Sequence, residues 1–365
     1  MKNCFLPLFA VALVSAASCS GRSGAPAFID GNDSRAVYDG RVLKSDSTVC
    51  FDWSGVSARV RFFGTRLSVD YTDTKSDYFN VWVDREPGVR ADGVVIASGS
   101  GTLELASGLA EGEHTVVMQK RTEGEQGMMT VRGFSTDGRF LKAERHRGRT
   151  IEFVGDSYTC GFGTEGGKDE PFKASTENCN LAYAAIIGRF FDARIQTVCH
   201  SGRGLVRNYG GADCPVMTRL YGQVFDEYDT VAYDAHAAGF KPDIVVVYLG
   251  TNDFSCGERP SLDEWCVGFA GLLASIRANY GPGVPVLCVS SRAYRLLADY
   301  VEEGVKRCAD PDVSWTSVER DVHNDGSDLG AVGHPNYEGH RKVACQMIPY
   351  ISTLTGWEMP LKAVE

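Results

Sequence analysis

Four short polar segments from distant parts of the chain contain the residue types of an acyl-transfer site. They are GDS at 155–157, HSGRG at 200–204, GTND at 250–253 and GHPN at 333–336. A serine hydroxyl is a weak nucleophile until a neighbouring imidazole takes its proton. The tetrahedral intermediate then needs donors at its oxyanion, which main-chain N–H groups and an asparagine amide supply. The four segments predict acyl-transfer chemistry if the fold brings them together.

The elements after residue 149 supply a reason for that convergence. Short apolar strands at 151–154, 194–199 and 244–249 each end directly before a polar segment, and the third, IVVVYL, lacks the alternation of a half-exposed strand. A further strand is predicted at 284–289. Three helices are also predicted: one at 181–191, one that begins after the capping box SLDE at 261–264, and one at 336–351. Alternating strands and helices predict a doubly wound α/β domain, whose sites lie at the carboxyl ends of its parallel strands.

In the first part of the chain, the pattern of apolar residues has a different period. Between residues 36 and 141, apolar and polar residues alternate with period two, as in TRLSVDYTD at 65–73, and Gly, Asp and Ser separate the segments. Short alternating strands at this spacing predict an all-β antiparallel sandwich, for which we expect a jelly roll. The predicted division is a leader at 1–19, a β-sandwich domain at 25–145 and an α/β domain at 149–360.

The N-terminal residues have the layout of a secretory signal. Lys2 precedes an apolar run at 5–17 that is too short to span a bilayer. The sequence SAASC at 15–19 also resembles a bacterial lipobox with Cys19 as the lipid-accepting residue, although Ala16 replaces the usual leucine. Lipidation at Cys19 and ordinary cleavage both remain open, and either outcome predicts an exported protein that meets a membrane only through a lipid anchor.

Composition excludes several classes of partner. The formal net charge of −10 argues against nucleic acid, whose binding requires clustered Lys and Arg. No C-x-x-C or H-x-x-x-H spacing supports a metal site, so we expect neither a metal nor a cofactor. The glycines at 161, 163 and 166 spell G-x-G-x-x-G, but they do not begin at the strand end as a dinucleotide site requires. We expect a monomer.

The motifs resemble those of a known family. GDSYTCGFG (155–163), SGRGLVRNYGG (201–211), GTND (250–253) and HPNYEGH (334–340) are similar, in order and spacing, to the four blocks of SGNH/GDSL hydrolases. The preceding β-domain and KRTEGEQG at 120–127 make the chain similar to carbohydrate esterase family 2. This resemblance implies a flavodoxin-like three-layer α/β domain and removal of O-acetyl groups from plant cell-wall polysaccharide.

The resemblance also implies roles for individual residues. Ser157 would be the nucleophile and His334 the general base. The oxyanion donors would be the N–H groups of Ser157 and Gly202 and the amide of Asn252. Gly204 is the alternative to Gly202, because the alignment of SGRG can slip by two residues.

One departure from the family concerns the catalytic histidine. Most SGNH enzymes have an aspartate two or three residues before it, whereas this chain has Val332 and Ala331 there. The nearest upstream acids are Asp328 and Asp325. We therefore expect a Ser–His dyad whose Nδ1–H is held by a main-chain carbonyl, as the resemblance implies for some family members.

The substrate wall and the overall role are less constrained. Trp265 and Tyr294 are the candidates for a wall that contacts sugar. Two other functions remain open: a carbohydrate-binding protein whose SGNH half is only a platform, and an SGNH lipase or lysophospholipase, which would require an apolar acyl channel.

Overall fold

The N-terminal part of the protein is an antiparallel all-β domain. The structure, a computed structural model, describes residues 26–145, 148–227, 231–291, 295–319 and 325–365, so the predicted leader with Cys19 lies outside the described residues. The strands are β1 (Ala27–Asp30), β2 (Ala36–Asp39), β3 (Leu43–Lys44), β4 (Val49–Phe51), β5 (Ser57–Gly64), β6 (Leu67–Val83), β7 (Gly93–Ala106), β8 (Gly112–Lys120), β9 (Met129–Thr136) and β10 (Arg139–Leu141).

These strands form a curled sheet around their own core. Strand β6 is 17 residues long and pairs with β7, β8 and β9, so it belongs to both sides of the curl. Strand β5 alternates strictly between buried and half-buried residues, as the period-two pattern predicts. The inward side chains, such as Phe51, Phe62 and Phe79, are fully buried. The predicted all-β architecture is confirmed.

The second part is an α/β domain built on five parallel strands. The strands are β11 (Thr150–Gly155), β12 (Arg194–Cys199), β13 (Ile244–Tyr248), β14 (Val286–Ser291) and β15 (Val313–Val318). The helices are α1 (Ser157–Cys160), α2 (Tyr183–Phe191), α3 (Met217–Leu220), α4 (Ala235–Ala238), α5 (Leu262–Tyr280), α6 (Arg295–Cys308) and α7 (Tyr337–Thr355). The strand order β12-β11-β13-β14-β15 is the flavodoxin-like order, which confirms the predicted fold class.

Helices cover both faces of this sheet. In β13, Ile244 and Val246 pack in one apolar cluster with residues of α2 and α7, whereas Val245 and Val247 pack in another with residues of α5 and α6. A strand buried on both faces has no polar alternation, which is the pattern of IVVVYL. Three layers result, and all five strands end at the same edge of the sheet.

The β-domain packs beside β12, the edge strand of the parallel sheet. Buried or half-buried ion pairs cross between the domains: Arg41 pairs with Glu152 at 3.2 Å, and Asp39 pairs with Arg194 at 3.1 Å. The apolar cluster that contains Val245 and Val247 is continuous from the β-domain to the α5 and α6 side of the sheet. We call this junction the domain interface.

Two features of the described residues bear on the environment of the protein. The ten cysteines among them, from Cys50 to Cys345, are all free thiols. None of the helices in the described ranges combines the length and the apolar character needed to cross a membrane.

Candidate active site

The four polar segments meet in one cleft at the carboxyl ends of the parallel strands. The cleft has a volume of about 570 Å³, and its lining includes Ser157, Gly202, Asn252 and His334. Strands β11, β12 and β13 run parallel and in register, so their ends deliver the first three segments to the same edge. The histidine comes from the turn just before α7. The structure therefore brings the four polar segments together, as predicted.

Ser157 and His334 lie in hydrogen-bonding contact. The Ser157 hydroxyl is 3.0 Å from His334 Nε2, a distance at which it donates to a neutral imidazole. Ser157 is the first residue of the one-turn helix α1, and the Asp156 side chain caps this turn by accepting the Tyr158 N–H. The backbone thus presents Ser157 at the end of β11 with its hydroxyl toward the histidine.

The surroundings of His334 favour its neutral form. Burial lowers the pKa of His334 to about 4, against a weaker opposing effect of the Val332 carbonyl. A ring with this pKa is neutral at pH 7 and has a free lone pair on one nitrogen. Nε2 can therefore accept the serine proton, as a general base must.

No carboxylate of the described residues orients the ring of His334. Asp328 is buried but forms an ion pair with Lys342, and Asp325 accepts the Ser327 N–H. Nδ1 of His334 has no partner of normal hydrogen-bond geometry, and the Val332 carbonyl is the backbone group that acts on the ring. The acid-free arrangement agrees with the dyad hypothesis, whereas a regular Nδ1–H···O=C bond is not formed in this structure.

The turn that carries this carbonyl is strained. Val332 has φ +55° and ψ +28°, a left-handed conformation that is a real outlier for a β-branched residue. Its N–H donates to the Glu170 carbonyl at 3.1 Å, and the His334 N–H donates to the Ala331 carbonyl at 3.1 Å. Strained residues of this kind concentrate at functional sites, where the surrounding structure holds them in place.

Aromatic rings hold the imidazole from the sides. Phe162 lies with its ring centroid 4.6 Å from that of His334, and Phe172 stacks on Phe162 at 4.1 Å. The ring of Tyr158 meets His334 edge-on at 5.7 Å. Packing against these rings does part of the orienting that an aspartate does in a triad.

The glycines after Ser157 let the serine loop pack against the histidine turn. A Cβ on Gly163 would lie 2.7 Å from the Ala331 Cβ, and its φ of +64° disfavours other residues. The Gly163 carbonyl accepts the Ala331 N–H at 2.9 Å. These glycines therefore allow the spacing between Ser157 and His334. Their packing role accounts for them, so a phosphate-binding role is not required.

Gly202, and not Gly204, borders the cleft. The Gly204 N–H donates to the Asn208 side chain at 3.2 Å, and a Cβ there would collide with the Arg207 carbonyl. Gly202 lines the cleft with φ +76°, and we find no protein acceptor for its N–H among the described residues. The structure therefore favours Gly202 over Gly204 as the oxyanion donor, because the Gly204 N–H is engaged inside the loop.

Asn252 reaches the cleft from the segment after β13. Its amide nitrogen donates to the Arg203 carbonyl at 2.9 Å and lies 3.3 Å from Asp156 Oδ2. The second contact is long for a hydrogen bond to a carboxyl group. Burial raises the pKa of Asp156 to about 7, so this acceptor is only partly ionised near neutrality.

Asp253 anchors the downstream half of the loop that carries Gly202. Its two carboxylate oxygens accept the N–H groups of Leu205, Val206 and Arg207 at 2.7 to 2.9 Å. Asp253 itself is fully buried. Its role in GTND is therefore structural.

The family models divide the chain as the two folds do. Residues 38–143 match the family model described as "Carbohydrate esterase 2 N-terminal", and residues 153–342 match the "GDSL-like Lipase/Acylhydrolase family". The chain belongs to carbohydrate esterase family 2. It is therefore a member of a family of ester hydrolases, as the resemblance of its four motifs implies.

Individual relatives support the assignment. The chain is 32% identical over 330 residues to the "Cellulase/esterase CelE" of Acetivibrio thermocellus, covering 88% of this chain but only 40% of the relative's length. It is 25% identical over 325 residues to an "Acetylxylan esterase / glucomannan deacetylase" of Cellvibrio japonicus, covering 86% of this chain and 87% of the relative. The solved structure of a Clostridium thermocellum family 2 esterase in complex with cellohexaose matches with a TM-score of 0.80 at 32% identity, covering 88% of this chain and 100% of that one.

The predicted substrate wall of this family 2 esterase requires correction. Trp265 is only 1% exposed and stacks on Phe269 in the core, below Gly250 at the start of GTND. It supports the segment from beneath and does not reach the cleft. Tyr294 lies outside the described residues, so its role stays a prediction.

Other aromatic residues line the cleft of the esterase instead. They are Tyr158, Phe162, Tyr209 and Phe254. Each lies inside or directly beside one of the four motifs, which is the signal that could have found them. Tyr209 is 66% exposed and offers a flat apolar face at the mouth.

Two clusters of described residues have ligand atoms close enough to share a metal ion: Glu123, His200 and Asp226, and Glu123, Cys160 and Glu177. Both lie at the domain interface, behind the cleft. Several of their atoms are engaged within the protein, since His200 Nδ1 contacts Asp226 at 2.8 Å and Glu123 Oε2 accepts the Ser201 N–H at 2.6 Å. Among the described residues, Glu123 Oε1 and Glu177 Oε2 have no hydrogen-bond partner. The contact between His200 and Asp226 gives the first of these clusters a structural explanation without an ion.

Proposed function

We propose that this family 2 esterase removes O-acetyl groups from polysaccharide through an acetyl-enzyme on Ser157. The observation that carries the proposal is the 3.0 Å contact between the Ser157 hydroxyl and His334 Nε2 inside an open cleft. The activities of two relatives, acetylxylan esterase and glucomannan deacetylase, favour acetylated xylan and glucomannan as the substrates.

The reaction uses groups already in place. Ser157 Oγ attacks the acetyl carbonyl carbon while His334 Nε2 takes the hydroxyl proton, and the carbonyl oxygen becomes an oxyanion. The N–H groups of Ser157 and Gly202 and the amide of Asn252 donate to it, the amide exchanging its long contact with Asp156 for the oxyanion.

Collapse of the intermediate releases the sugar. His334 returns its proton to the departing sugar oxygen, which leaves acetate esterified to Ser157. Water then attacks this ester with His334 again as the base, and acetate is released. Each step needs only the serine, the histidine and the donors.

Replacing the nucleophile tests the proposal. Ser157→Ala should lower acetate release from an aryl acetate and from acetylated glucomannan by ~10⁴-fold or more, because the variant lacks the hydroxyl that contacts the general base His334. Ser290→Ala is the matched control, since Ser290 is a buried serine of β14 outside the cleft lining. Undiminished turnover by a folded Ser157→Ala protein would refute the mechanism.

A substrate panel separates the esterase from its alternatives. Acetate release should be compared across acetylated xylan, glucomannan and pectin, and across aryl esters of increasing acyl length. Activity that rises with acyl length would indicate a lipase. Tight glycan binding without turnover would indicate a carbohydrate-binding protein, a candidate that the cellohexaose complex of a relative favours.

We further propose that the protein is exported. The support is the apolar run at 5–17 and the small residues before Cys19. Fractionation of the producing cell, with mass spectrometry of the mature N-terminus, distinguishes a lipid on Cys19 from simple cleavage. Retention of the full chain in the cytoplasm would contradict export.

A further inference from the structure

The loop that carries Gly202 is held on its upstream side by the other domain. We propose that Glu123, a residue of the β-domain, is a positioning residue that fixes the Gly202 N–H in the oxyanion site. The α/β domain then has a complete oxyanion site only with the β-domain docked against it. This inference rests on the proposed function.

The contact itself is short and buried. Glu123 Oε2 accepts the Ser201 N–H at 2.6 Å, and Glu123 has no exposed surface. Ser201 directly precedes Gly202, so this bond sets the peptide plane next to the one that carries the Gly202 N–H. An oxyanion donor must lie within a few tenths of an ångström of its working position to be effective.

The residue before Ser201 is also held across the domain interface. His200 Nδ1 contacts Asp226 Oδ1 at 2.8 Å, and the Asp226 Oδ2 accepts the N–H of Gly124 at 2.9 Å. Burial opposes a proton on His200, but the charge of Asp226 outweighs it and raises the pKa of His200 to about 9. The imidazolium–carboxylate pair therefore persists at neutral pH and adds a second tie between this loop and the β-domain.

Buried hydrogen bonds hold the segment that presents Glu123. The Lys120 ammonium donates to the Glu123 carbonyl at 2.9 Å, and the Glu123 N–H donates to Glu177 Oε1 at 3.1 Å. Lys120 and Glu177 are both fully buried. A carboxyl group on so constrained a backbone can hold a partner loop in one position.

The two halves of the loop thus have different supports. Asp253 holds the downstream residues from within the α/β domain, whereas Glu123 holds the upstream ones from outside it. Gly202 lies between the two supports. Loss of the upstream support would leave the Ser157–His334 pair intact and displace one oxyanion donor.

The positioning role of Glu123 requires an acceptor oxygen for the Ser201 N–H and does not require a negative charge. A carboxylate behind an oxyanion would repel it, and burial raises the pKa of Glu123, which favours the neutral carboxyl. A neutral side chain with a carbonyl oxygen at the same reach should therefore suffice. Glutamine has that shape, aspartate keeps the charge but is one methylene too short, and alanine has no acceptor.

The test compares three substitutions at this position in the full-length protein. Glu123→Ala should lower kcat for an aryl acetate by ~10²-fold with KM within about twofold, since one misplaced donor costs this much. Glu123→Gln should retain kcat within about fivefold, and Glu123→Asp should fall below Glu123→Gln. Rates are normalised to active sites counted by the burst of released phenol, and thermal melting verifies folding.

The control loosens the same interface elsewhere. Asp39→Ala removes the interdomain pair with Arg194, at the end of β12 far from the cleft, and should leave kcat unchanged. A folded Glu123→Ala with the wild-type kcat would overturn the proposal. So would Glu123→Asp equal to or better than Glu123→Gln, a comparison that decides the matter if the alanine variant does not fold.

The two proposals fail in distinguishable ways. If the wild-type protein releases no acetate, or if Ser157→Ala still does, the proposed function is wrong. If turnover depends on Ser157 but is indifferent to Glu123, only the positioning role is wrong.

Discussion

The catalytic edge and the domain interface place polar groups under opposite conditions. At the catalytic edge, formed by Ser157, Gly202, Asn252 and His334, donors and acceptors face a cleft and several are left open. At the domain interface, a dense set of ionisable side chains is buried and largely paired. This set comprises Asp52, Asp77, Lys120, Glu123, Glu177, His200 and Asp226.

The comparison shows that reactivity depends on whether polar groups are available to a substrate. The interior region that is densest in ionisable groups is the less reactive one, because most of its groups are engaged with one another. The catalytic edge has few charges, and its histidine is neutral and unpaired on one side. Chemistry depends on which groups the fold leaves available, and charge density alone would point to the wrong region.

The largest expected effect concerns the catalytic edge. His334→Ala should lower kcat by ~10⁴-fold, as removal of a general base from a serine hydrolase does. Asp328→Asn should change kcat by less than about tenfold, because the carboxylate pairs with Lys342 and not with the histidine. Steady-state kinetics on an aryl acetate measures both. Equal losses would show that Asp328 completes a triad and would end the dyad hypothesis.

The second-largest expected effect is a loss of stability at the domain interface. Lys120→Met should lower the free energy of unfolding by about 3–5 kcal/mol, because it leaves Asp77 buried without an ammonium partner. In the unmodified protein, Lys120 Nζ lies 2.6 Å from Asp77 Oδ1. Urea denaturation measures the change. The exposed pair of Lys306 with Glu302 is the control, and Lys306→Met should leave the midpoint unchanged. A similar midpoint for both variants would show that the interface charges contribute little.

The smallest expected effect is on the pH profile. Since the pKa of His334 is lowered to about 4, the ring stays neutral as the pH falls to about 5, and kcat/KM for the aryl acetate should hold there to within about twofold. A histidine at the ordinary value of 6.5 would lose roughly 30-fold at pH 5. Recovery of activity on return to pH 7 excludes acid unfolding as the cause. A midpoint near 6.5 would mean that the ring is hydrated in solution.

The same shift has a consequence for stability. A histidine whose pKa is lower in the folded than in the unfolded state binds protons preferentially when unfolded. His334 therefore stabilises the fold least at low pH: its contribution is lost as the pH falls from 6.5 through about 4.

Much of the α/β fold could be predicted from local patterns. The strand predicted at 194–199 matches β12, the capping box opens α5 through the Ser261 hydroxyl, which accepts the Glu264 N–H, and the last helix continues four residues beyond the predicted 351. Helix α6 and strand β15 were missed. The burial of β15 is mixed because it lies at one edge of the sheet, opposite β12.

The sequence by itself determined the chemistry and the order of its parts. Serine, glycine, asparagine and histidine at the ends of apolar strands specify the catalytic edge, because parallel strands must end at one side of their sheet. It also determined that no acid stands directly before His334. These conclusions depend only on residue type and on distance along the chain.

Only the tertiary structure decided which groups are available. It placed Trp265 in the core, satisfied Gly204 within its loop, and brought Glu123 against Ser201, 78 residues further along the chain. Such contacts arise from packing one domain on another, and no periodicity records them. The physical reason is that a hydrogen bond needs its partner within about 3 Å, and across a domain interface that distance is set by the whole fold.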